Sequence, residues 1–229
     1  MDGLTAVVTG ASRGIGASVA RLFGAEGARV VVCARTREDV EGVVGEVREA
    51  GGEATALRAD VRDERDVERV AAAAARDGPV DVVVANAAVA GGTPGETPLH
   101  EESYARFDDT VRTNVRGVFA TVVEHVPHLA DDARVLVPTG SVAREGKPGT
   151  GAYAVSKAAA EGLVRGFAAD LSATVTGVDP GLVDTGLSGG GGRDPADVAP
   201  MFRWAAVEAP ADEADGEVLG LRAWKRATR

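Results

Sequence analysis

The chain is poor in several residue types, and each scarcity excludes something. It has one cysteine, Cys33, in 229 residues, so no intrachain disulfide can form. That fits a reducing, cytoplasmic setting. No apolar run approaches the roughly 20 residues that a membrane-spanning helix needs. The opening MDGLTAVVTG has no basic region ahead of its apolar run, which argues against a secretory leader. His100, His125 and His128 lack metal-like spacing to cysteine or carboxylates, so no metal is expected. Positive charge is short too: 25 Lys and Arg face 35 Asp and Glu, for a net charge of −10. Without a clustered basic tract, a nucleic-acid partner is not expected. The acid excess has two readings, a halophilic protein or a GC-rich genome that favours Arg, Ala and Gly.

Two further scarcities point to chemistry. Lysine occurs only at Lys147, Lys157 and Lys225, and tyrosine only at Tyr104 and Tyr153. One of each stands four apart in GAYAVSKAAA, residues 151–160. Residues four apart share a helix face. A lysine ammonium beside a phenol favours the phenolate and lowers the tyrosine pKa. That would make a general acid/base without histidine. Taken alone, the pair also suits a surface helix with a snorkelling lysine.

What is present in quantity is strand–helix alternation. LTAVVTG, ARVVVCA, ATALRAD, PVDVVVANAA, ARVLVPTGS and ATVTGVDPG read as six strands. Val30, Val31 and Val32 form an unbroken apolar run, which suits a strand covered on both faces. Helices are expected over residues 14–26, 37–50, 63–77, 102–125, 151–171 and 195–208, with a last strand around 217–224. GGTPGETP is a loop by its Gly and Pro. The alternation argues for one α/β domain: a Rossmann-type, doubly wound parallel sheet of about seven strands, flanked by helices. Ligands in such sheets sit at the carboxyl ends of the strands.

TGASRGIG, residues 9–16, lies between the first strand and the first helix. Gly10, Gly14 and Gly16 allow a tight turn and a close backbone approach to a pyrophosphate. The helix N-terminus adds free N–H groups. The spacing resembles the T-G-x-x-x-G-x-G fingerprint of the classical short-chain dehydrogenase/reductase family, and the likeness runs to about Thr185. It implies a nicotinamide cofactor held by Gly10, Ser12, Arg13, Gly14, Ile15 and Gly16. Asp60 and Val61 resemble the family's Asp-Val pair at the adenine. Asn86 and Ala87 match the middle of its N-N-A-G, where this chain reads Ala85-Asn86-Ala87-Ala88; a local packing difference is expected there. Pro180, Gly181, Val183 and Thr185 resemble its P-G-x-x-x-T segment along the nicotinamide. Arg35 stands at the end of the second strand, where an acid would hold the ribose of NAD. With Arg13, it makes NADP(H) the expected cofactor over NAD(H).

The same likeness gives the Tyr–Lys pair company. Ser141 lies twelve residues before Tyr153, and Asn114 matches the family's helix asparagine. The implied set is Asn114, Ser141, Tyr153 and Lys157. Ser141 would orient a substrate oxygen and Tyr153 would exchange its proton. Lys157 would tune Tyr153 and hold the nicotinamide ribose, and Asn114 would support a proton relay. The expected activity is hydride transfer between NADP(H) and a carbonyl or secondary alcohol. Alternatives are reduction of a 3-oxoacyl thioester, with Arg106, Arg112 and Arg116 facing an acidic carrier, and a non-catalytic NADP-binding scaffold. A shortened, Gly-rich substrate lid is expected at about 186–193. A homodimer or homotetramer is typical of the family. Tyr104, Cys33, Trp204 and Trp224 read as packing residues, and DERDVER as a solvated helix face.

Overall fold

A computed structural model describes residues 1–229. The strands are β1 (Thr5–Thr9), β2 (Arg29–Ala34), β3 (Glu53–Arg58), β4 (Val80–Val84), β5 (Leu129–Pro138), β6 (Thr174–Asp179) and β7 (Val218–Gly220). All pair in parallel, in the order β3-β2-β1-β4-β5-β6-β7. The helices are α1 (Gly14–Ala25), α2 (Arg37–Glu49), α3 (Glu64–Ala74), α4 (Tyr104–Val111), α5 (Gly117–His125), α6 (Gly151–Asp170), α7 (Pro195–Val207), α8 (Ala211–Ala214) and α9 (Leu221–Ala227). The expected single α/β domain is what forms.

The strand period of two divides the core. Val8, Val30, Val32, Val82 and Leu136 face α1, α2 and α7, where Phe23, Val43 and Phe202 complete one layer. Val7, Val31, Cys33, Val83 and Val135 face α3, α5 and α6, where Val70, Val122 and Val164 complete the other. Both faces of the central strands are therefore dry, which explains their continuous valine runs. Chain order reverses between β1 and β4. The crevice at the carboxyl ends of these two strands is where the glycine loop emerges.

Several expectations need correction. The last strand is only three residues long, and its second half is the helix α9. Ala, Trp, Lys and Arg there favour a helix once Gly220 ends the short pairing. The long helix expected over 102–125 begins at Tyr104, after Ser103 caps it by accepting from Arg106 N. It is also interrupted by one π turn, Arg112–Arg116. Such turns are frequent at functional sites. Tyr104 does not pack: it is 92% exposed. Asp66, within DERDVER, is buried and accepts from Asp60 N at 2.9 Å. Trp204 is core, as expected, and Trp224 packs at the core's margin.

α1 and α2 approach so closely that Gly24 has no room for a side chain. A Cβ there would lie 2.4 Å from Val47 Cγ1, and Val47 is itself buried. Gly24→Ala should therefore cost about 1–3 kcal/mol through overpacking, despite alanine's better helix propensity. A melting curve lowered by several degrees checks this; an unchanged or raised midpoint contradicts the packing argument.

Candidate active site

The loops after β1 and β4 are stitched together. Asn86 donates its side-chain amide to the carbonyls of Thr9 at 2.9 Å and Gly10 at 3.1 Å. In return, Thr9 Oγ1 accepts from Asn86 N at 3.0 Å and Ala87 N at 3.2 Å. The two loops touch only because glycines stand between them. A Cβ on Gly10, whose φ is +65°, would lie 2.6 Å from Ala87 Cα, and one on Gly16 would lie 2.5 Å from Asn86 Nδ2. Ala85 is buried and Ala88 lines the crevice, so the departure from N-N-A-G leaves the anchoring amide in place.

Two adjoining clefts open from this junction. The first, of about 170 Å³, is lined by Gly10, Ser12, Arg13, Gly14 and Ile15 from the glycine loop, and by Arg35, Asp60, Val61, Asn86, Ala87 and Thr185. Arg13 and Arg35 form no ion pair, whereas Arg62 is paired with both Asp60 and Asp109. Asp60 is held below the usual carboxylate range by hydrogen bonds from Arg62. Gly16 and Pro180 line neither cleft; Gly16 acts through its close contact with Asn86.

The second cleft, of about 330 Å³, is lined by Ser141, Tyr153 and Lys157, and by Gly181, Val183 and Thr185. Thus Ser141, Tyr153 and Lys157 meet at one wall. Lys157 lies with Nζ 5.6 Å from the Tyr153 ring centroid and donates to Pro138 O at 2.9 Å. Asn114 stands behind, in the π turn. Its Oδ1 accepts from Val89 N at 2.8 Å, and its Nδ2 donates to Val89 O at 2.8 Å and to Ser156 Oγ at 2.9 Å. Ser156 donates onward to Tyr153 O at 2.7 Å. Asn114 therefore ties the loop after β4 to the turn of α6 that carries Tyr153.

The protein-family model described as short chain dehydrogenase matches residues 4–194. The chain belongs to the short-chain dehydrogenase family. It is 36% identical over 193 residues to versicolorin reductase 1 of Aspergillus parasiticus, covering 82% of this chain and 72% of that one. The alcohol dehydrogenase of the archaeon Thermococcus sibiricus, solved with 5-hydroxy-NADP, superimposes with a TM-score of 0.84 at 31% identity, covering 95% of each chain. The actinorhodin polyketide ketoreductase with NADPH superimposes with a TM-score of 0.85 at 28% identity, again over 95% of each. Like these relatives' family, the chain is an oxidoreductase of the CH–OH/C=O class with a fold for a nicotinamide cofactor.

In this short-chain dehydrogenase the tyrosine departs from expectation. Burial pushes Tyr153 up to about 12, and the negative charge of Asp179 adds to the rise. Lys157 does not offset this, because burial pushes its own pKa down to about 8. A phenolate and an ammonium both lose hydration here, and that loss exceeds their mutual attraction.

Sequence reading missed the groups behind this wall. Glu161, one turn beyond Lys157, is buried and accepts from Thr139 Oγ1 at 2.8 Å and Arg144 Nη1 at 2.9 Å. Arg144 also pairs with Asp179. Glu102 accepts from Ala152 N at the start of α6, where Thr150 supplies no side-chain cap. Only the spacing of Glu161 from Lys157 was visible beforehand. Arg116, offered above for a carrier, instead donates to Arg62 O and Glu64 against α3.

The segment expected as a lid has its two ends joined. Asp184 N donates to Arg193 O at 2.8 Å, and Arg193 N to Leu182 O at 3.0 Å. Asp194 then caps α7 by accepting from Ala196 N at 2.8 Å.

The Lys157 shift has a stability consequence. Between about pH 8 and 10.5 the unfolded chain binds more protons at this lysine than the native protein does, so stability rises with pH across that window. Above the ordinary tyrosine range, Tyr153 reverses the trend. Lys157→Met should be more stable than wild type near pH 7, by up to about 3 kcal/mol. The advantage should shrink toward about pH 10. Urea unfolding of both proteins at several pH values checks this, and a pH-independent difference would refute it.

Proposed function

We propose that this short-chain dehydrogenase is an NADP(H)-dependent carbonyl reductase. One observation carries the reading: Ser141, Tyr153 and Lys157 share a wall of the larger cleft, which adjoins the cleft holding Arg13 and Arg35. The residues fit such a cofactor. Close-packed Gly10, Gly14 and Gly16 leave a backbone cradle at the start of α1 for a pyrophosphate. Asp60, Val61, Asn86 and Ala87 would take the adenosine half. Pro180, Gly181, Val183 and Thr185 would lie along the nicotinamide. Arg13 and Arg35, free of carboxylate partners, suit a 2′-phosphate; Asp39 is the one acid on that wall without an ion pair. When bound, the cofactor supplies the hydride.

The chain's own residues handle the proton. Ser141 donates a hydrogen bond to the substrate carbonyl oxygen and holds it against Tyr153. Tyr153 gives its proton to that oxygen as negative charge develops there. Its high pKa keeps the phenol protonated at neutral pH, ready to act as an acid. Lys157 keeps N–H groups for a ribose hydroxyl beyond the one spent on Pro138 O. Asn114 keeps the tyrosine turn in register and supports reprotonation.

Reduction of a 3-oxoacyl or polyketide-type ketone is a second reading. The mouth of the larger cleft favours it: Gly92, Gly149 and Gly181 line it, and Leu182 is 61% exposed at its edge. A short Gly-rich lid at 186–193 would admit a bulky or carrier-bound chain. Phe119, Val123 and Val155, exposed on α5 and α6, suit a face between copies in a dimer or tetramer.

Tyr153→Phe should bind NADPH as wild type does and lose at least about a hundredfold in turnover. NADPH titration beside ketone-dependent NADPH oxidation tests this. NADPH binding without turnover on any ketone, aldehyde or 3-oxoacyl thioester by wild type would favour a cofactor-binding scaffold instead. Arg35→Asp should move the NADPH/NADH ratio of kcat/KM toward NADH by about tenfold or more. An unchanged ratio would remove Arg35 from the cofactor assignment.

A further inference from the structure

Two of the chain's three lysines, Lys147 and Lys157, line the 330 Å³ cleft, and no Asp or Glu lines it. In a protein of net charge −10 that reverses the sign of the surface. The mechanism above uses Lys157 and leaves Lys147 without a task.

Lys147 lies on the loop between Ser141 and α6. Its Nζ donates to Ser141 Oγ at 2.8 Å. Ser141 therefore accepts from the ammonium, and its own proton points to the Glu145 carboxylate, from which a substrate oxygen would have to take it over. The remaining N–H groups of Lys147 reach Glu145, 3.2 Å away. Both members of that pair are at least half exposed, and such pairs are weakly held. Glu145 is not part of the cleft wall. The neighbouring cation Arg144 is already taken by Glu161 and Asp179.

An ammonium that touches the oxygen-binding serine, in a cleft without carboxylates, selects for negative charge in the ligand. We propose that Lys147 is a specificity-determining residue, and that the preferred substrate carries an anionic oxygen, as carboxylate or ionised phenol, a few bonds from the carbonyl that is reduced. This rests on the carbonyl-reductase reading above. The anion replaces Glu145 on Lys147 while Ser141 holds the carbonyl oxygen. It is a recognition group only: no bond to it forms or breaks.

The test uses matched pairs with NADPH. One pair is a 4-oxo carboxylate and its methyl ester; the other is a hydroxyaryl ketone ionised at the assay pH and its methyl ether. The readout is the ratio of kcat/KM for the anionic over the neutral member. Wild type should favour the anion in at least one pair, and the pair that does so identifies the source of the charge. Lys147→Met should lower that ratio about tenfold or more, while Lys147→Arg retains most of it. Glu145→Gln should raise it, because a competing carboxylate is gone. Added salt should erode the preference. Neutral ketones reduced with a ratio that Lys147→Met leaves unmoved would overturn this proposal alone. Absence of turnover on every member would overturn the carbonyl-reductase reading with it.

Discussion

The site depends on one close approach, that of the loops following β1 and β4. The amide of Asn86 crosses from one to the other, and Thr9 returns two backbone hydrogen bonds through its hydroxyl. These bonds can form because Gly10 and Gly16 present no Cβ to the opposing chain. The same missing side chains leave the backbone bare for a phosphate. One steric condition thus sets both the seam of the sheet and the floor of the crevice.

From that seam the rest of the wall is positioned by hydrogen bonds rather than by apolar contact. Asn114 holds the segment at Val89 with two bonds and the Tyr153 turn through Ser156. Asn114 lies within the π turn at Arg112–Arg116, where its side chain makes these three hydrogen bonds. Glu102 performs a similar service at the N-terminus of α6, and Glu161 with Arg144 at its flank. Such satisfied buried networks specify one arrangement, since any displaced member would leave a polar group dry. The Tyr–Lys pair is therefore held rigidly in an environment hostile to its charges. Tyr153 stays protonated, and Lys157 is drawn toward neutrality.

Charge is distributed against the protein's average. The chain is acidic overall, yet its larger cleft presents lysines and its smaller cleft two arginines without carboxylate partners. Ion pairs elsewhere, such as Arg62 with Asp60 and Arg144 with Glu161, consume the cations that lie next to these walls. Arg13 and Arg35 are left without a carboxylate partner at the smaller cleft, and Lys147 at the larger one is held only by the exposed Glu145.

The sequence by itself determined the layers and the place of the glycine loop. Valine runs, strand–helix alternation and the spacing of Gly10, Gly14 and Gly16 are local patterns, and local patterns are legible without neighbours. The Tyr153–Lys157 spacing stood out too, though only the family resemblance added Ser141, and all three line one cleft. The tertiary structure decided what depends on partners distant in the chain. It set Tyr153 in a partly buried place near Asp179, which reversed the expected direction of its pKa, because desolvation is a property of surroundings and not of spacing. It set Lys147 on Ser141 and turned Arg116 against α3. It also ended β7 early, left Tyr104 in solvent and placed Asp66 inside, because pairing and burial are settled by what packs opposite each residue.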